Sequence, residues 1–120
     1  MQNYRKLSVW RKAHAIALNL HQLSARIPRT GNLGLINQIN RAALSIPANI
    51  AEGSSRPTDK DFIKFLYISF ASATEVEYHL EFARDLGVIS GQEFALRAAE
   101  ITEIRKMITG LVKYLRQADR

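Results

Sequence analysis

LINQINRAALSIPANIAEG, Leu35 to Gly53, decides the fold, because it holds a helical apolar stripe and the one residue that opposes it. Leu35, Ile39, Ala42, Ile46 and Ile50 recur at spacings of three and four, with Ile36 and Ala43 beside them. That spacing gathers the apolar side chains onto one side of a helix. Pro47 falls inside the pattern. It has no N–H to donate and its ring crowds the carbonyl of Ala43, so the helix is expected to kink or break there. The segment is predicted to begin near Thr30 or Asn32 and to end near Gly53, ahead of a Gly53-Ser54-Ser55-Arg56-Pro57 loop.

On the N-terminal side, Val9, Ala13, Ile16, Leu20, Leu23 and Ile27 form a second stripe. It predicts a helix from about Ser8, a candidate cap, to Arg26, stopped by Pro28. On the C-terminal side, Thr58 with Asp61 three residues later starts a third helix. Its stripe is Phe62, Leu66, Ser69, Ala73, Val76, Leu80 and Ala83, and Gly87 is its expected left-handed stop. Ser90-Gly91-Gln92-Glu93 is a capping box that opens a fourth helix, with Phe94, Ala98, Ile101, Ile104, Ile108, Leu111 and Leu115 as its seam. No segment sustains period-two alternation, and no Asn-Gly or Asp-Gly hairpin signal is present. Short links force consecutive helices to run antiparallel. The predicted fold is therefore all-α, an up-down-up-down four-helix bundle with its second helix kinked at Pro47, built as one domain over residues 1–120.

Composition narrows the function classes. The chain has no cysteine, which removes disulfides, thiolate metal sites and cysteine nucleophiles together. No apolar run reaches the roughly 18 residues of a membrane span. The basic start, Arg5, Lys6, Arg11 and Lys12, lacks the apolar block and cleavage site of a secretory signal, so a cytoplasmic protein is expected. The net charge of +6 is unevenly spread. Up to Lys60, nine basic residues face only Glu52 and Asp59, a net of +7, whereas the remainder carries eight basic and nine acidic residues, a net of −1. Such a split suits either a face that binds a polyanion or complementary surfaces that meet in an oligomer.

Nothing in the sequence specifies a reaction. A carboxylate-bridged di-iron bundle needs inward acids on every helix and Glu-x-x-His on two of them. Here no acid precedes Glu52 and no Glu-x-x-His occurs. Glu75 and His79, four apart, are one pair on one helix. His14 and His21 lie two turns apart along the first helix and read as partly exposed imidazoles beside the seam. Gly31 and Gly34 do not make a phosphate loop. No spacing brings Ser45, Glu52, Glu75 and a histidine together. No cofactor, no metal and no enzymatic activity are expected.

The stretch from Arg41 to Gly53 also carries polar residues. Arg41 and Glu52, eleven residues apart, lie about 20° from three full helical turns. With Ser45 between them they form a polar stripe opposite the isoleucines, and Ser45 is placed to satisfy backbone groups released near Pro47. One reading is a kinked helix with a solvated face. The other is a protein contact through Arg41, Ser45, Asn49 and Glu52, with Arg41 paired to a carboxylate.

At this point the sequence resembles a known family. Val9-Trp10-Arg11-Lys12-Ala13-His14 is similar to its opening. Ser45-Ile46-Pro47-Ala48-Asn49-Ile50-Ala51-Glu52-Gly53 matches its central motif. Phe62 to Ile68, then Glu75, Glu77 and Asp85 to Ile89, continue the likeness. The family is that of the bacterial four helix bundle proteins, also called 23S ribosomal RNA intervening-sequence proteins. The resemblance covers about Leu7 to Leu115 and implies a four-helix bundle that assembles as a homopentamer. It also implies kinship with the accessory variability proteins of diversity-generating retroelements, which are basic pentamers that bind nucleic acid and a reverse transcriptase. No catalytic residue carries over. The chain departs at Ala71-Ser72-Ala73-Thr74, where a glycine or leucine is common in the family.

Two functions are expected to compete. In one, the protein is a homo-oligomer that binds RNA or DNA, since five copies would carry about +30. Lys6, Arg11, Lys12 and Arg56 are the candidate phosphate contacts, and Trp10 and Tyr4 the candidate stacking partners. Trp10 is also placed to end the seam, buried, and that is the reading preferred. In the other, the chain is a structural adaptor that assembles with itself and with a protein partner through the polar stripe of the second helix.

Overall fold

Each apolar stripe forms the helix it predicts. The computed structural model describes residues 3–118. Asp119 and Arg120, both counted in the charge of the second half, lie outside the described residues. After a single 3-10 turn at Tyr4–Lys6, the helices are α1 (Ser8–Ala25), α2 (Leu33–Ser54), α3 (Asp59–Asp85) and α4 (Gly91–Ala118). No strand occurs among the described residues. Chain neighbours pack on one another, α4 closes against α1, and the diagonal pairs stay apart, as an up-down-up-down bundle requires. The bundle is 51 Å long and 20 Å across in each other direction.

One core draws on all four helices. Leu20, Ile39, Ile46, Ile50, Leu66, Leu80, Ile101, Ile104 and Ile108 are fully buried, each contributing about 1.5–3 kcal/mol of apolar burial. The predicted seams of α1 and α3 are buried throughout. In α4, however, Phe94, Ala98 and Leu111 are only half-buried, while Val112 is buried in their place. The α1–α4 contact is the sparsest of the four, so it leaves the flank of α4 partly open.

The most extensive helix–helix contact is between α2 and α3. Small residues are buried on both helices: Ala42, Ala43 and Gly53 on α2, and Ser69, Ser72 and Ala73 on α3. A Cβ on Gly53 would lie 2.7 Å from Phe65 Cβ and 2.8 Å from Phe62 Cδ1. Gly53 was expected to end its helix. Instead it is buried inside the last turn, and the need is for closeness to α3. α2 does not break at Pro47 but runs on to Ser54. The buried Ser69 hydroxyl donates to the Ile46 carbonyl across the interface at 2.9 Å, which ties the proline-bearing turn to α3.

The ends of the helices follow their caps. The Asp61 amide donates to Thr58 Oγ1 at 3.2 Å, and the Glu93 amide donates to Ser90 Oγ at 3.0 Å, as the two capping sequences predict. Gly87 adopts φ +81°, and the Val88 amide reaches back to the Ala83 carbonyl at 3.0 Å, completing a left-handed stop. One expectation fails. Ser8 is the first helical residue and Leu7 is the cap, with no side-chain cap bond. Asn32 precedes α2 but turns its amide to the Pro28 carbonyl at 2.8 Å, so its side chain braces the preceding turn.

Candidate nucleic-acid interface

Antiparallel packing converts the uneven charge along the chain into uneven charge along the bundle. One end gathers the start of α1, the α2–α3 connection and the last turns of α4. Its cations are Arg5, Lys6, Arg11 and Lys12, then Arg56, Lys60 and Lys64, then Lys106, Lys113 and Arg116. Its acids are Glu52, Asp59 and Asp61, so ten basic residues meet three acidic ones for a net of +7. Arg105 and Glu77 pair at 2.7 Å and mark the boundary. Beyond it, Arg26, Arg29, Arg41, Arg84 and Arg97 face Glu75, Glu81, Asp85, Glu93, Glu100 and Glu103, a net of −1.

The two ends also differ in how their charges are used. At the far end, Arg97 bonds Glu93 at 3.1 Å and Glu100 at 2.8 Å, and Arg26 bonds Glu93 at 2.8 Å. Burial of Arg97 works against its charge, but Glu100 and Glu93 outweigh it and hold the guanidinium above its ordinary pKa. At the basic end, Arg56–Glu52 (3.3 Å) and Lys64–Asp61 (3.8 Å) are paired. Lys6, Arg11, Lys12, Lys60, Lys106, Lys113 and Arg116 have no carboxylate partner among the described residues.

The expected phosphate contacts therefore share one end of the molecule. Lys6 and Arg11 are exposed and Lys12 is half-buried. Arg11 donates to the Arg5 carbonyl at 3.0 Å, and the Arg56 guanidinium lies over the Phe65 ring at 4.7 Å. Tyr4 and Trp10 meet edge to face at 4.8 Å, and Trp10 stacks on His14 at 4.9 Å with the planes 8° apart. Trp10 is half-buried against the core, so it ends the seam and presents only part of its ring outward.

The polar stripe of α2 divides. Ser45 and Asn49 are half-buried and spend their polar atoms inside the bundle. Ser45 Oγ lies 2.7 Å from Ser72 Oγ, and Asn49 Nδ2 donates to the Ser45 carbonyl at 2.8 Å and to its hydroxyl at 2.9 Å. Ser45 thereby fastens α2 to α3, while both bonds of Asn49 stay within α2. Arg41 and Glu52 are exposed, and Glu52 pairs with Arg56, not with Arg41. His79 Nε2 approaches Glu75 at 3.7 Å. No cluster of three or more His, Cys, Asp or Glu that could hold a metal ion occurs among the described residues.

A feature that charge counting along the sequence misses lies between α3 and α4 at the basic end. Two adjoining depressions, about 420 and 260 Å³, share Phe70, Thr109 and Lys113. Arg105, Lys106 and Gly110 line the first, and Tyr67, Val112 and Arg116 the second. Tyr67 and Phe70 are 49% and 36% exposed, and Arg116 donates to the Tyr67 hydroxyl. The available signal was spacing: Tyr67 and Phe70 three apart on α3, Lys106 and Lys113 seven apart on α4. Dividing the charges at the middle of the chain hid it, because α4 carries acids in its first half and bases in its second.

These features define a class: an all-helical bundle polarised lengthwise, with a basic end where most cations have no carboxylate partner among the described residues. The sequence matches the profile of the 23S rRNA-intervening sequence proteins over residues 5–110. The chain belongs to that family. A solved structure of similar fold is a protein of unknown function from the S23 ribosomal protein family of Bacteroides thetaiotaomicron. It is 28% identical, with a TM-score of 0.81 over 88% of this chain and 98% of that one. No curated protein matches the sequence. No helix among the described residues is long and apolar enough to cross a membrane.

Proposed function

We propose that this chain is a non-enzymatic, self-assembling protein of the cytoplasm that binds nucleic acid through its basic end. The observation that carries this reading is the set of unpaired cations there. Lysines and arginines without carboxylate partners are the groups that displace counterions from a phosphate chain, whereas the paired arginines of the far end are already neutralised. The family's name, which refers to sequences within 23S rRNA, favours RNA over DNA.

Self-assembly as a homopentamer is the state that the family resemblance implies. The outer face of α3 supplies a surface for it. Ile68, Tyr78, Phe82 and Leu86 lie on that face and are about half exposed. They leave more apolar surface in water than scattered single residues do. The same face, with the exposed Arg41, favours a second reading, an adaptor that binds a protein partner.

Fluorescence anisotropy with a labelled strand over a salt series tests the first reading. Four phosphate contacts predict a log–log slope of about −3 for a single strand. No binding at low salt refutes it. A partner retained after nuclease treatment in a pull-down from the native host favours the adaptor.

A further inference from the structure

We infer that the groove between α3 and α4 is a single-strand site, in which Tyr67 and Phe70 stack bases while Lys106 and Lys113 hold the backbone. The inference rests on the nucleic-acid reading above and adds to it a place and a strand preference. It moves the site away from Lys6, Arg11, Lys12 and Arg56.

Three observations on the groove agree. The first is its charge. Four cations line the two depressions and no carboxylate does. Arg105 is committed to Glu77 and Arg116 to the Tyr67 hydroxyl, but Lys106 and Lys113 have no carboxylate partner among the described residues. These lysines stand two helical turns apart, about 10 Å along α4 at 1.5 Å per residue. The second is aromatic exposure. Tyr67 and Phe70 lie on the α3 wall facing those cations, and neither is among the buried core residues. A positive groove beside exposed rings is the combination that binds unpaired strands, since every base offers a face to stack on. A duplex presents phosphates but keeps those faces inside the helix. The third is the floor. Gly110 is a helix-interior glycine, and a Cβ there would meet nothing within 4 Å. The packing of this chain does not require a glycine at that position, and its absent side chain leaves the α4 backbone open to close approach.

An apolar partner helix is the other occupant to weigh. It would remove Lys106 and Lys113 from water with no partner for either charge, which is costly. A polyanion supplies the partners, so charge complementarity selects the strand.

The test uses the full chain with a labelled oligouridine of about twelve nucleotides and its duplex with oligoadenosine. The wild type is expected to prefer the single strand. Phe70→Ala and Tyr67→Ala should each weaken single-strand binding about five- to a hundredfold, as loss of a stacked base does, and leave duplex binding nearly unchanged. Lys113→Glu should weaken both and reduce the salt slope by about 1. Arg29→Glu, at the far end, should do neither. Photo-crosslinking with 4-thiouridine in the strand should mark α3 and α4. Unchanged single-strand binding by both alanine variants overturns the inference. So do crosslinks confined to Tyr4 and Trp10. In both cases nucleic-acid binding by the chain still stands. Changed oligomer mass in the Phe70 variant by light scattering also overturns it, because the groove then seats a second copy. Failure of the wild type to bind either probe at low salt refutes both readings.

Discussion

Replacing Gly53 with alanine should destabilise the protein, although alanine is the better helix former. The added Cβ would sit 2.7 Å from Phe65 Cβ, where ordinary contacts begin at 3.4 Å, so about 0.7 Å must be found. Phe62 Cδ1, 2.8 Å away, belongs to a ring that can turn. Phe65 Cβ is one bond from the backbone, so relief there requires α3 itself to move. Overpacking of this kind costs about 1–3 kcal/mol. The change from glycine to alanine inside a helix returns about 0.5–1 kcal/mol. The net loss is then on the order of 1–2 kcal/mol, a fall in Tm of roughly 4–8 °C for a chain of this size. Gly110→Ala is the control, since nothing lies within 4 Å of its Cβ position. It should gain about 0.5–1 kcal/mol and raise Tm by a few degrees. Thermal unfolding followed by far-UV circular dichroism reads both variants. A Gly53→Ala protein as stable as the wild type would refute the claim that this glycine sets the α2–α3 distance.

Gly87→Ala puts a side chain at φ +81° and should cost about 1–2 kcal/mol, read by urea unfolding. Ser69→Ala removes the buried hydroxyl that donates to Ile46 and should cost about 0.5–1.5 kcal/mol, with the helical content unchanged by circular dichroism. Phe82→Glu places a charge on the outer face of α3 and should lower the assembly mass in light scattering without lowering monomer stability, since this ring is 45% exposed.

Helix number, order and core were legible because each rests on a repeated local signal. Seven residues of α3, Phe62 to Ala83, share one stripe, and all seven are buried. Thr58, Ser90 and Gly87 were equally readable, because a cap or a left-handed stop is made by residues within a turn or so of it. Gly53 was misread because its role depends on two phenylalanines of another helix, and spacing within α2 carries no record of them. The bond from Ser45 to Ser72 was hidden for the same reason. Ser45 lies off the isoleucine stripe, and only the closeness of α3 turns that flank inward. Lys6, Arg11, Lys12 and Arg56 lie at one end of the bundle, but the α3–α4 groove was not seen. Its two walls come from segments some forty residues apart, and only the antiparallel return of α4 sets Lys113 beside Phe70.

The lengthwise separation of charge gives the molecule a polarity that an assembly of parallel copies inherits. Copies arranged about a rotation axis parallel to the bundle all point the same way, so their positive tips form a single crown and the opposite rim stays nearly neutral. Two such crowns would repel face to face, which disfavours stacking through that side and keeps it open to solvent. A strand drawn toward the crown would meet a circular track with no preferred starting point, and the grooves between α3 and α4 would recur along it like cleats.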